Sequence, residues 1–387
     1  MRVLLQSRVT LFSGPGGDTV QIIKTAEALR GLGVDCEIST ELQPDLSRWD
    51  IVHLFNLTRP QEVYLQASNA VRWGKPLALS TIYLCGSDFD SSVRTGLLGL
   101  VARTLSPNTF EYAKVLARAV VNREWHEGTW AFLRHGYSSL QERVVRMSSV
   151  LLPNSQSEMR RVLRDFPVAS KSKWVAVPNA VDAGIADSRE EVLPPQFERF
   201  RGAVLCVANI GPRKNQLRLV RALQNVGIPL VIVGQPSPNA HGYFEQIKRE
   251  AGPNVHILGR VSDEEVRFCY RAAKVHVLAS WMETTGLSSL EAGIAGCNLV
   301  ITEKGDTREY FGDMAFYCDP GSETSIRDAV LQAYSAPVST ALQDRIRTRF
   351  NWKMAAEATL NGYRQILNLE TQDDSVPNTG RPGAGSA

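Results

Sequence analysis

The sequence predicts an α/β protein made of two doubly wound parallel-sheet domains in tandem. Three observations lead there. Short apolar runs of strand length alternate with amphipathic stretches of helical period. A polar, proline-containing segment around 186–195 splits that alternation into two series. The chain's 387 residues, 43% apolar and 21% charged, are enough to bury two separate cores.

The first series has strand-like runs at residues 3–5, 51–55, 77–82, 150–152 and 174–177, with an amphipathic helical stretch at 19–30. The second has runs at 203–207, 229–233, 255–258, 275–279, 298–301 and 315–317, each followed by a candidate helix. This reading gives Rossmann-like domains at 1–182 and 183–350. A helix at 351–370 is expected to pack back on the first domain. The tail at 371–387, polar and rich in Gly and Pro, is expected to be disordered.

Composition excludes more than it identifies. A formal net charge of +3 is too nearly balanced for a nucleic-acid wrapper or a strongly cationic membrane binder. No apolar run approaches the roughly 18 residues of a bilayer span, and the opening MRVLLQSRVT is too short a run for a signal peptide, so a cytoplasmic protein is expected. The six cysteines (Cys36, Cys85, Cys206, Cys269, Cys297, Cys318) include no C-x-x-C pair, which supports neither a zinc site nor a disulfide framework.

Parallel α/β sheets bind ligands at the carboxyl ends of their strands, so the loops there carry the candidates. The first is Ser13-Gly14-Pro15-Gly16-Gly17-Asp18-Thr19. Its glycines would let backbone amides approach a phosphate at a helix amino terminus, although a plain βα turn capped by Asp18 or Thr19 explains the same residues. The G-x-G-x-x-G spacing of a nicotinamide dehydrogenase is absent.

The second candidate is the stretch 278–293, LASWMETTGLSSLEAG. The spacing of Glu283 and Glu291 alone means little, since Glu190 and Glu198 repeat it. Context separates the two pairs. Glu283 follows a predicted strand, Thr285-Gly286-Leu287 would open a helix with free amides, and Glu291 falls about one turn into that helix. A carboxylate accepts sugar or ribose hydroxyls, and helix-opening amides hold diphosphate oxygens. Two solvated glutamates on an ordinary loop and helix are the plainer reading.

This stretch resembles the E-x7-E signature of the family 4 retaining glycosyltransferases. The likeness extends to VLCVANIGPRKN at 204–215, VPNAVD at 177–182, LGRV at 258–261 and DIVH at 50–53. It implies a GT-B fold, two Rossmann-like domains facing across a cleft, and transfer of a sugar from a nucleotide diphosphate donor with retention of configuration. By the same resemblance Glu283 meets the transferred sugar, Glu291 the ribose, and Thr285, Gly286 and Leu287 supply amide contacts. Lys214 binds phosphate with Arg213 as helper, Arg260 and Val261 border the base, and Gly16 and Gly17 approach the diphosphate from the first domain. Glu283 and Lys214 are the catalytic candidates.

Several positions depart from the family's pattern. Asn209 stands where relatives often have Arg, with Arg213 as the substitute cation. Tyr83 stands where many carry a His near the sugar, and Asn298 and Ala180 replace Pro and Gly. The implied reaction is a front-face substitution in which the leaving phosphate takes the acceptor's proton. It needs neither a nucleophilic Ser nor a glycosidase carboxylate pair. Lys214 and the helix amino termini carry the charge, so no metal or cofactor is expected.

His53, at the end of its strand, and Tyr83 are the candidate sugar or acceptor contacts. A backbone-satisfied buried histidine is the competing reading of His53, and His126 and His135 have weaker claims. Residues 91–147 hold eight basic side chains (Arg94, Arg103, Lys114, Arg118, Arg123, Arg134, Arg143, Arg146) against four acidic ones (Glu111, Glu124, Glu127, Glu142), among them Trp125 and Trp130. Such a segment would suit a glycan or lipid-linked acceptor at the inner face of a membrane, or simply form a solvated helical face. Assembly of a surface polysaccharide or glycolipid is the implied pathway. A nucleotide-sugar epimerase of the same fold and a noncatalytic nucleotide-sugar binder are the alternatives.

Overall fold

The computed structural model describes residues 1–84, 127–187 and 192–367. The basic and aromatic cluster at 91–126, with Cys85 and His126, and the tail at 371–387 lie outside the described residues, as do residues 85–90.

Two six-stranded sheets, parallel throughout, form the two halves. The first has the order β2-β1-β3-β4-β5-β6, with β1 Arg2–Gln6, β2 Asp35–Ser39, β3 Ile51–Phe55, β4 Leu77–Ser80, β5 Val150–Leu151 and β6 Lys173–Trp174. The second has the order β12-β11-β10-β7-β8-β9, with β7 Ala203–Val207, β8 Leu230–Val233, β9 Val255–Gly259, β10 Ala273–Leu278, β11 Asn298–Thr302 and β12 Phe316–Cys318. Strands β3, β4, β8 and β11 are buried along their whole length, which is why they read as unbroken apolar runs rather than alternating ones.

Every run read from the sequence overlaps a strand, although the 174–177 run meets β6 only at Trp174. β2 was not foreseen. Its DCEIS exposes Asp35 and Glu37 on a sheet edge, so it lacks the apolar run that marks its neighbours. The 77–82 run ends as a strand at Ser80, because Ile82 turns into the left-handed region (φ 41°).

The first helix, α1 (Gly17–Gly31), packs beside the last helix, α2 (Trp352–Ile366), which crosses back onto the first domain. A Cβ at Gly362 would sit 2.7 Å from Leu152 Cδ2, so this position needs glycine for the helix to lie that close to the sheet. The chain passes between the halves twice, side by side: Val181 N–H donates to Phe350 O at 2.9 Å, and Val181 pairs with Asn351.

The two halves are also joined by polar contacts. Arg161 forms a two-pronged pair with Asp306 (2.5 and 3.0 Å), whose side chains are 12% and 0% exposed. Both oxygens of Glu309 accept from the first free amides of the helix Gln156–Asp165, Gln156 N at 2.8 Å and Ser157 N at 2.9 Å. The Tyr310 hydroxyl donates to Asn154 O (2.7 Å) and accepts from Asn179 N–H (2.9 Å).

Candidate donor site at the second sheet

The order of the second sheet reverses between β7 and β10, and the loops leaving those two strands flank the crevice that such a reversal opens. The loop after β7 brings Arg213 and Lys214 on a single 3-10 turn, Pro212–Lys214. Asn215 closes that turn in the left-handed conformation (φ 61°), and its amide donates to Ala279 O at 3.1 Å and Pro320 O at 2.9 Å. The lysine loop is thereby tied to the end of β10, and Trp281 N–H adds a bond to Arg213 O at 3.0 Å.

Glu283 is fixed through its backbone. Its N–H donates to Lys304 O (3.1 Å) and its carbonyl accepts from Asp306 N–H (3.0 Å). Gly305 lies so close that an added Cβ would stand 1.8 Å from Glu283 O, and its φ of 106° also favours glycine. The sequence reading missed Gly305. The side chain of Glu283, 6% exposed, receives the Lys214 ammonium on Oε1; Lys214 is 16% exposed.

Arg213 stands farther off, 3.9 Å from the same oxygen, donates to Met282 O at 3.4 Å and is 40% exposed. It is thus partly a surface arginine. Burial alone would raise the Glu283 carboxyl, but the charges of Lys214 and then Arg213 hold it below the usual carboxylate range. Burial keeps the Lys214 amine below its ordinary value, with Glu283 opposing.

Beyond Glu283, Thr285 is buried and its hydroxyl accepts from Asn179 Nδ2 at 3.1 Å. Gly286 turns with φ 78°, where a Cβ would meet Leu278 Cδ2 at 3.1 Å and Ser289 Oγ at 3.2 Å. The helix α3 (Leu287–Ala295) starts there without a side-chain cap, and its first internal bond runs from Ser289 N–H to Gly286 O. The amides of Leu287 and Ser288 therefore precede the helical ladder, and the positive end of the helix opens on the crevice beside Lys214 and Glu283.

Glu291 lies one turn along this helix. Its Oε2 accepts from the Tyr270 hydroxyl at 2.8 Å, and burial raises its pKa to about 7, with Tyr270 lowering it and Asp263 and Asp182 adding to the rise.

The glycine loop of the first domain meets this group. Gly16 is the cap residue of α1, with its N–H bonded to Thr19 Oγ1 at 3.0 Å, and a Cβ on Gly17 would be 3.6 Å from Leu287 Cδ1. Thr19 therefore does the capping. Asp18 turns instead to Arg8, which also holds Thr10 O and Gly14 O at 2.8 Å each and so braces the loop. Arg8 carried no sequence signal, since a lone arginine after a strand reads as a surface charge.

Arg260 and Val261 follow β9 at the sheet's edge. Arg260 is exposed and Val261 packs on the domain core; among the described residues no hydrogen bond joins either to the Glu283 group. Asn209 is exposed, and its carbonyl accepts from Gln216 Nε2. Asn298 donates from Nδ2 to Ala333 O (2.8 Å) and Ala336 O (3.2 Å), stitching the end of a helix to β11.

Two expectations are corrected. His53 does not reach the crevice: it is fully buried, with Nδ1 2.7 Å from the Tyr363 hydroxyl and Nε2 2.9 Å from Ser80 Oγ, and burial lowers its pKa to about 3. A neutral imidazole satisfied by its own domain has no valence left for an acceptor. Tyr83 is also buried. Its hydroxyl donates to Asp165 at 3.0 Å and its ring packs edge-on against Phe166. It serves the first core. His135 sits at the end of the helix Glu127–His135.

No group of three or more metal-binding side chains gathers among the described residues. No described helix is long and apolar enough to cross a membrane.

The chain is similar to known proteins in sequence and in fold. Residues 196–350 match the family Glycosyl transferases group 1. Over 178 residues the chain is 26% identical to O-antigen chain mannosyltransferase B of Escherichia coli, covering 43% of this chain and 47% of that protein. The chain thus matches about half the length of that curated relative.

Two solved structures share the whole architecture. Sucrose-phosphate synthase from Thermosynechococcus elongatus superposes with a TM-score of 0.67 at 14% identity, covering 96% of this chain and 100% of the other. The Anabaena protein HepE, in complex with UDP and glucose, does so with a TM-score of 0.66 at 15% identity, over 93% and 98%. At these identities the likeness is one of fold. The segment that matches the Glycosyl transferases group 1 model holds Lys214, Glu283, Thr285 and Glu291, and the two-domain frame around it has the fold of these solved structures.

Proposed function

We propose that the protein is a retaining glycosyltransferase that moves a hexose from a nucleoside diphosphate sugar to a glycan or lipid-linked acceptor in surface polysaccharide or glycolipid assembly. The observation that carries this reading is the buried pairing of Lys214 with Glu283 beside the uncapped amino terminus of α3, closed from the far side by Gly17. A diphosphate entering there would draw the Lys214 ammonium and the Leu287 and Ser288 amides to its oxygens. Glu283, released from the lysine, would then accept the sugar's hydroxyls.

In the reaction the bond between the sugar C1 and the leaving phosphate oxygen breaks, and the acceptor oxygen bonds to C1 on the same face. The acceptor's proton passes to the departing phosphate. Lys214 offsets the charge that builds on that phosphate, and no metal is assigned. The name of the Escherichia coli relative makes mannose the first hexose to test.

The test supplies UDP-, GDP- and ADP-hexoses with candidate acceptors and reads the anomer of the product by NMR. Retention is expected, with Glu283→Gln and Lys214→Ala each lowering turnover about a hundredfold or more while the melting transition stays cooperative. Inversion would refute the front-face route. Wild-type turnover in both variants would refute the site. Isomerised sugar formed without acceptor would make the protein an epimerase.

A further inference from the structure

Within that donor site, we infer that Tyr270 is a positioning residue that holds Glu291 for the ribose and so selects ribonucleoside over deoxyribonucleoside diphosphate donors. The inference rests on the donor reading but adds a residue and a specificity to it.

Tyr270 lies on the helix Asp263–Ala272 and is 1% exposed. Its backbone carbonyl accepts from Cys297 Sγ at 3.2 Å, and its ring stands edge-on to His276 with centroids 6.0 Å apart, so both the backbone and the ring of this buried residue have fixed neighbours. The hydroxyl has one hydrogen to donate and gives it to Glu291 Oε2 at 2.8 Å. Half-buried Glu291 has no other hydrogen bond among the described residues. The Tyr270 hydroxyl thereby anchors one carboxylate oxygen, and Oε1 has no hydrogen-bond partner among the described residues.

Vicinal hydroxyls of a ribose are the donors that such an acceptor fits, and a 2′-deoxyribose offers one fewer. The same helix starts at the Ser262 and Glu265 capping box, directly after Gly259, Arg260 and Val261. One rigid element thus carries both the loop assigned to the base and the hydroxyl that orients the ribose acceptor.

The experiment titrates wild type, Tyr270→Phe, Glu291→Gln and the double variant with UDP, GDP and ADP by calorimetry. Each diphosphate that binds is compared with its 2′,3′-dideoxy counterpart. Wild type is expected to bind the dideoxy form about tenfold or more weakly. Tyr270→Phe should weaken the ribose form about fivefold to tenfold, leave the dideoxy form unchanged, and have no further effect once Glu291 is Gln.

Equal weakening of both forms would mean that Tyr270 only supports the fold, and no weakening would mean that its hydroxyl is idle. Either result overturns the inference while leaving the donor site intact, provided Lys214→Ala still abolishes binding. A wild type that treats the two sugars alike also overturns it, through Glu291. Failure of wild type to bind any diphosphate would instead overturn the donor reading, and the inference with it. Should Tyr270→Phe not fold, Tyr270→His and the Glu291→Gln comparison of the two sugars decide the matter by the same criteria.

Discussion

His53 and Glu283 hold comparable stations, one on a central strand of the first sheet and the other just beyond a central strand of the second, and both are almost entirely buried. Their partners differ. Both ring nitrogens of His53 are engaged by hydroxyls of its own domain, neither of which a ligand would attract. Glu283 is engaged by the ammonium of Lys214, which any phosphate would attract. Burial alone therefore does not mark a functional residue. On the proposed reading the mark is a buried group whose partner a ligand can exchange, as Glu283 has in Lys214.

The contrast can be tested at several points. The largest effect is expected at Arg161, whose guanidinium, paired with Asp306, spans the two domains. Arg161→Ala would leave Asp306 buried and uncompensated, and should lower unfolding stability by ~3–5 kcal/mol in denaturant titration. A loss below about 1 kcal/mol would show that water enters the interface and that this pair is no fixed strut.

A smaller effect is expected from pH. Glu291 carries a pKa of about 7 in the free protein, raised by burial and by Asp263 and Asp182 against the pull of Tyr270. With ribose hydroxyls donating to the charged carboxylate, as proposed, donor binding would lower that pKa and release a proton. Affinity for a nucleotide sugar should therefore rise as pH increases through about 7, by at most about tenfold per unit, and level off above it. Glu291→Gln should flatten the profile. A profile unchanged in that variant would assign the titration to another group.

The smallest effect on activity is expected at His53. His53→Phe leaves the Tyr363 and Ser80 hydroxyls without their partner and should lower stability by about 1–3 kcal/mol. Turnover of the folded variant should stay within about twofold of wild type. A loss of tenfold or more would return His53 to the site.

Much of the donor side was legible because it is local in sequence. Strand β10, Glu283, the Gly286 turn and α3 fall within one stretch of 23 residues, 273–295, so their order and spacing already describe a strand, a loop and a helix amino terminus. Lys214 was readable for the same reason, on a turn just after β7. What the sequence left open or misplaced lies far apart along the chain. The fate of His53 depends on Tyr363, 310 residues away, and that of Tyr83 on Asp165, 82 residues away. A strand histidine and a strand-end tyrosine look the same in sequence whether they face ligand or core.

The sequence by itself determined the two parallel α/β halves, the strand ends that carry loops, and the residue types at the second sheet's mouth, because apolar period and turn glycines are properties of neighbouring residues. The tertiary structure decided which of those residues have open valences. It set Gly305 against the backbone of Glu283, gave Lys214 to Glu283 and Tyr270 to Glu291, and returned the last helix to close the first core over His53. Each of these is a contact between segments distant in the chain, fixed by how whole elements pack and not by any pattern within one of them.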